Sequence, residues 1–152
     1  MTEIRKISYA DIFGASNARC LLNEYSLECS IPEIGEARPQ AEIYEALEKS
    51  GGFQAFGIYD GDTLIGFVTV IIWTIPHYGK KIASTESIFI ARKYRHKGIG
   101  RDLLNFIEDY AKKNGCVAFQ YTAPVGSRFS QLLALNVDRY RRTNHVYLRD
   151  LK

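Results

Sequence analysis

STESIFIARKYRHKGIGRDLLNFIEDYAKKNG, residues 84–115, is the stretch from which the rest of the chain is read. Its opening residues, up to Ile90, are β-branched, aromatic or small hydroxylated, as a strand requires. Further on, Leu103, Leu104, Ile107, Tyr110 and Ala111 fall on one stripe. Arg101, Asp102, Asn105, Glu108, Asp109 and Lys112 occupy the remainder, so the spacing predicts an amphipathic helix that starts near Gly100 and is closed by Gly115. Between strand and helix, Arg95-His96-Lys97-Gly98-Ile99-Gly100 makes a basic turn with two glycines. A helix that begins there leaves backbone N–H groups unpaired and carries about half a positive charge at that end, an environment that favours an anion. The glycines let such a ligand come close. Two phosphate motifs are excluded: no Gly-Lys-Ser/Thr follows the glycines, and Leu103 stands where a dinucleotide fingerprint needs its third glycine.

Upstream, Asp60-Gly61-Asp62 links Phe53–Tyr59 to Thr63–Thr74, two runs of β-type residues, and so predicts an antiparallel hairpin. IPHYGKK reads as a loop, and Ile82–Ile90 as the next strand. Ile4 and Ile7 alternate in a short first strand. YADIFGASNARCLLNEYSLECS spaces Ile12, Ala15, Ala18 (or Arg19), Leu22 and Tyr25 as one helix, and Ala41–Lys49 forms a second that Gly51-Gly52 ends. Downstream, Val117–Thr122 reads as a strand, Ser127–Leu135 as a short helix, and Tyr140–Leu151 as one or two closing strands. The expected class is mixed α/β in one domain over residues 1–152.

Apolar residues make up 46% and charged residues 24% of the 152, ordinary proportions for a globular chain. A net charge of +3 is too small to indicate a nucleic-acid protein, so none is expected as a partner, although RKYRHK and RYRRTNH are locally basic. Cys20, Cys29 and Cys116 form no C-x-x-C pair, which points to a reducing cytoplasm rather than a disulfide framework. The N-terminal MTEIRKISYADIF has no apolar signal core, and the Leu64–Ile75 run is too short to cross a bilayer, so no membrane association is expected. His77, His96 and His145 are scattered and no metal is expected. Ser127 lacks the G-x-S-x-G elbow of a serine hydrolase.

RHKGIG between a strand and a long helix resembles the R/Q-x-x-G-x-G/A loop of the GCN5-related N-acetyltransferase (GNAT) superfamily. The resemblance is specific from about Ile82 to Asn114, and the preceding order of strand, two helices and hairpin is similar to the family's. It implies a mixed central sheet with antiparallel N-terminal strands and splayed central strands, flanked by about four helices. It also implies acetyl-CoA as cosubstrate, with its pyrophosphate on the loop formed by Arg95, His96, Lys97, Gly98, Ile99, Gly100 and Arg101. Phe89 and Ile90 would offer main-chain hydrogen bonds to the pantetheine arm.

Acetyl transfer to an amine needs a group to take the ammonium proton and another to protonate the leaving thiolate. Glu86 stands nine residues before Arg95, where many GNAT members carry a strand glutamate. A strand carboxylate is costly to bury unpaired, so Glu86 is expected to face water or to have a polar partner. The family's Asn and Tyr after the next strand have no counterpart in PVGSRFSQLLALNVDRYRRTNHVYLRDL, which leaves the general acid unassigned; Tyr140, Tyr147 and His145 are nearby, and water is the other proton source. Glu28, Glu33, Glu36 and Glu42 make an acidic region that would suit a cationic amine acceptor. The resemblance allows a homodimer through the C-terminal strands. Two other readings stay open: a basic binding module for nucleic acid or an acidic partner, and an acyl-CoA binder without transfer activity.

Overall fold

The structure is a computed structural model and describes residues 1–95 and 98–152. In chain order the elements are β1 (Thr2–Ile7), α1 (Tyr9–Gly14), α2 (Ala18–Cys29), α3 (Ala41–Ser50), β2 (Phe53–Asp60), β3 (Thr63–Ile75), β4 (Lys80–Ile90), a 3-10 turn at Arg92–Tyr94, α4 (Ile99–Lys113), β5 (Ala118–Gln120) and α5 (Arg128–Leu135). The strands form one sheet in the order β1-β2-β3-β4-β5. The first four are antiparallel neighbours, while β5 runs parallel to β4. This is the mixed α/β arrangement expected. The hairpin at Gly61 and the helix closed by Gly51 also form, with both glycines in the left-handed region at φ 59° and 75°.

Alternation along the strands sends side chains to two faces, and a separate core forms on each. On one face Leu103, Leu104, Ile107 and Ala111 of α4 pack against Phe56, Ile58, Ile65, Val68 and Val70. Leu103 and Ile107 are fully buried, and burial of side chains of this size is worth roughly 1.5–3 kcal/mol each. On the other face Ile12 and Leu21, from α1 and α2, meet Phe53, Leu64, Phe67 and Phe89. β3 and β4 are thus covered from both sides, which fixes their register and the position of anything carried between them.

Three expectations are corrected. The first helix is two: Ala15, in extended backbone at the end of α1, interrupts it, and the Asn17 amide donates to the Leu64 carbonyl at 2.7 Å. Helical spacing continues across this break, so periodicity alone does not reveal it. Among the described residues the flanking α-helices number five, close to the four expected. The loop before β4 contracts to the turn Pro76–Gly79, and β4 starts at Lys80. The closing strands over Tyr140–Leu151 do not form. β-type composition makes a strand only against an edge that can pair with it, and β5 is three residues long. Val146, Tyr147 and Leu151 remain more than four-fifths exposed. The segment is held instead by the Arg139 guanidinium on Glu108 at 2.6 Å, by the Tyr140 hydroxyl on the same carboxylate at 3.1 Å, and by Lys152 Nζ near the Glu33 and Ile34 carbonyls.

Candidate functional site

Thr69 of β3 lies opposite Ser87 of β4, and the next residue, Val70, lies opposite Thr85. Glu86 therefore has no partner in the ladder. It is the extra residue of a β-bulge, a device that re-aims a side chain out of the regular alternation. Its side chain is exposed among otherwise covered strand residues. Both carboxylate oxygens are engaged: Oε1 accepts from the Tyr44 hydroxyl at 3.0 Å and Oε2 from the Thr69 hydroxyl at 2.7 Å. Glu86 thus meets both conditions set for it, contact with water and polar partners.

The direction of the Thr69 bond follows from counting. Thr69 Oγ1 accepts from the Ser87 backbone N–H at 2.9 Å and lies 2.7 Å from Ser87 Oγ. A hydroxyl has one proton to donate and two acceptor positions. Donation to Glu86, whose carboxylate can only accept, leaves Ser87 Oγ as the donor in the third contact. Thr69 is buried, with 1% exposure, so its hydroxyl has no solvent competitor.

One phenol, Tyr44, bonds this carboxylate, and two more, Tyr9 and Tyr25, feel its charge. Tyr44 and Tyr9 are stacked, with ring centroids 3.6 Å apart and planes 10° apart. Burial, then the negative charge of Glu86, pushes Tyr9 up to about 12 and Tyr44 well above the ordinary phenol range. Tyr25 is also pushed up to about 12, by burial first and then by Cys29 and Glu86. All three are therefore neutral at physiological pH and can act as hydrogen-bond donors.

The glycine turn occupies the other end of β4. Gly98 has φ +81° and forms the N-cap of α4, which begins at Ile99. Its carbonyl accepts from the N–H groups of Arg101 and Asp102 at 2.9 and 3.1 Å. The N–H groups of Ile99 and Gly100 precede the first intrahelical acceptor and point outward from the helix start. A Cβ placed on Gly100 would meet nothing within 4 Å. His96 and Lys97 lie outside the described residues. β4 and β5 pair at Ile82–Ser84 with Ala118–Gln120, and the six residues of β4 that follow, Thr85–Ile90, have no β5 partner. Pairing with β5 therefore stops before the part of β4 that leads to the glycine turn.

Two expected contacts change. The Ala91 N–H bonds the Ile65 carbonyl, so by antiparallel alternation the main chain of Phe89 also faces β3, and that of Ile88 and Ile90 faces the open side. Phe89 offers a buried ring rather than main-chain groups. Arg95 is tied down: Nε donates to the Ile90 carbonyl at 2.6 Å, and its terminal nitrogen donates to Glu28 at 2.7 Å. Arg92 Nε donates to the other Glu28 oxygen at 2.6 Å. Glu28 is thus part of a clamp between α2 and the turn, and is not available to attract a cationic acceptor. The same pairs, with Arg139–Glu108, engage three arginines of the two basic stretches.

A profile of the Acetyltransferase (GNAT) family matches residues 20–127, most of the chain. The chain belongs to the GNAT acetyltransferase family. Acetyl transfer is its chemistry, and acetyl-CoA is the donor this family uses. Solved structures agree in fold. A ribosomal-protein-alanine N-acetyltransferase from Brucella melitensis biovar Abortus 2308 superposes with a TM-score of 0.70 at 19% identity, covering 98% of this chain and 97% of its own. An aminoglycoside acetyltransferase, meta-AAC0020, from an uncultured soil metagenomic sample gives 0.75 at 13% identity, covering 99% and 97%. AAC(6')-Iy, solved with a bisubstrate analog built on CoA, gives 0.72 at 16%, covering 100% and 99%. No curated protein sequence matches the chain.

The residues present fit the GNAT donor, since β5 leaves Thr85–Ile90 of β4 unpaired, the Gly100 position is open and the first N–H groups of α4 have no intrahelical acceptor. Tyr140 is on the α4 face of the sheet, bound to Glu108, and so is separated from Glu86 by the sheet. Tyr147 and His145 stack on each other in the exposed tail. Among the described residues no group of three or more His, Cys, Asp or Glu side chains could hold a metal, and no helix is long and apolar enough to cross a membrane. Sequence reasoning did not find Tyr44 or Thr69. Tyr44 is 42 residues from Glu86 and Thr69 is 17, and neither spacing belongs to a local motif.

Proposed function

We propose that this protein is an acetyl-CoA-dependent N-acetyltransferase that acts on a primary amine of a small molecule or peptide, by direct transfer in a ternary complex. The single observation that carries this reading is the exposed Glu86 carboxylate on its β-bulge, within the stretch of β4 that β5 does not pair. Glu86 takes the ammonium proton, directly or through water, so that the neutral amine can attack. The N–H groups of Ile99 and Gly100 hold the pyrophosphate, with Arg101 beside them, and the basic His96 and Lys97 precede them in the sequence. Ile90, with Ile88, borders the pantetheine arm, and Arg95 shapes the turn from beneath. When bound, acetyl-CoA supplies the thioester: the new N–C bond forms as the C–S bond breaks, and water protonates the departing thiolate. Unpaired cysteines agree with a reducing cytoplasm as the site of action.

Calorimetric titration with acetyl-CoA tests the donor site, and absence of binding at near-millimolar ligand sinks it. Thiol release from acetyl-CoA in the presence of spermidine, sisomicin, an alanine-initiated peptide or a lysine peptide tests transfer and sorts the acceptor class. Binding without thiol release on any amine would favour an acyl-CoA binder over an enzyme of this type.

A further inference from the structure

We infer that Tyr44 and Thr69 are positioning residues that fix the rotamer of Glu86, and that α3 is the element that sets this base. The inference rests on the reading of Glu86 as the proton acceptor. A bulged, exposed glutamate has many rotamers, and a productive proton transfer needs one of them. Here each carboxylate oxygen has a separate anchor, at 3.0 and 2.7 Å. A carboxylate has about four acceptor positions, so both oxygens can still receive an amine proton.

The anchors differ in kind. Thr69 is buried in the sheet, its hydroxyl is saturated by Ser87, and its donation to Glu86 is therefore fixed. Tyr44 sits on α3, a helix with no fully buried residue. It is fastened through the Tyr44 ring, which stacks on Tyr9 and meets Phe53 edge-on at 5.4 Å, and through Glu48, which accepts the Tyr9 backbone N–H at 2.6 Å. Docking of α3 and placement of the Glu86 carboxylate are thus the same event: when α3 is seated, Oε1 is held.

Tyr44→Phe removes the hydroxyl and keeps the ring stack, so the fold survives. The test compares the wild type, Y44F, E86A and the double variant by thiol release from acetyl-CoA with spermidine, sisomicin and an alanine-initiated peptide, and by urea unfolding. Y44F is expected to lose about tenfold in kcat with the KM for acetyl-CoA unchanged, the loss of one hydrogen bond to a charged group. In the E86A background the same change is expected to cost nothing further, and the unfolding free energies should be non-additive. T69S, which keeps the hydroxyl, should retain activity that T69V loses. A Y44F loss that persists undiminished in E86A, additive unfolding energies, or a fully active Y44F with a slow E86A would overturn the clamp while leaving Glu86 as the base. An E86A protein as fast as wild type would sink both readings. Were no amine turned over, the unfolding cycle alone would decide the contact.

Discussion

At Gly98 and Gly100 the same residue type answers to different constraints. Gly98 sits at φ +81°, a conformation that costs an L-residue about 1–2 kcal/mol. Gly100 is already helical and faces open space. Gly98→Ala should therefore lower stability by about 1 kcal/mol. Gly100→Leu should leave the unfolding midpoint of the free protein unchanged or slightly raised, because leucine is the better helix former, and yet abolish acetyl-CoA binding in calorimetry. Retained binding in Gly100→Leu would show that the pyrophosphate does not approach the helix start. The pair separates backbone strain from ligand access, which a double substitution would confuse. Both glycines stand out in the sequence as a motif, but only the dihedral angle and the empty space around each assign them different roles.

Elements meet at Glu28. The Arg95 and Arg92 guanidinium groups join α2 to the turn before α4, and Glu24 adds a bond from the Arg92 backbone N–H at 2.8 Å. Burial raises the Glu28 carboxyl, but hydrogen bonds from Arg95 and Arg92 outweigh it and hold the group below the ordinary carboxylate value. A carboxyl depressed in the folded state contributes stability above its unfolded pKa, near about 4.3, and loses it as pH falls through the folded value. The wild type should thus lose more stability than Glu28→Gln between neutral pH and about pH 3, measured by urea unfolding at each pH. Parallel curves would remove the clamp as a contributor. A second expected result of Glu28→Gln is weaker acetyl-CoA binding with the acceptor KM unchanged, because Glu28 holds Arg95, which is proposed to shape the donor turn. The acidic composition of the α2 region was visible in the sequence, but its meaning was not: a carboxylate near two arginines of the turn, more than sixty residues on, is invisible to any local pattern.

On the scale of the whole molecule, acetyl-CoA in the proposed site beside β4 would stabilise the folded chain by binding it and not the unfolded one. Acetyl-CoA at about a hundred times its Kd should add about 2.7 kcal/mol of stability, a rise in Tm of roughly 5–10 °C for a chain of this size. Residues 1–152 should unfold in one cooperative step with and without it. A Tm unmoved by acetyl-CoA, or a transition that splits into two, would contradict this picture. The sequence by itself determined the elements whose cause is local: the amphipathic α4, the hairpin at Gly61, the glycine-closed α3, and the strand-turn-helix passage with its family loop. Spacing and turn chemistry act over a few residues, so they are written where they act. Tertiary structure decided what depends on distant partners: the bulge at Glu86, the Tyr44 and Thr69 anchors, the capture of Arg95 by Glu28, and the unpaired state of residues 141–152. A β-rich segment becomes a strand only when an edge can hydrogen-bond it, and a carboxylate is oriented only when donors arrive from other elements; neither condition is a property of the segment itself.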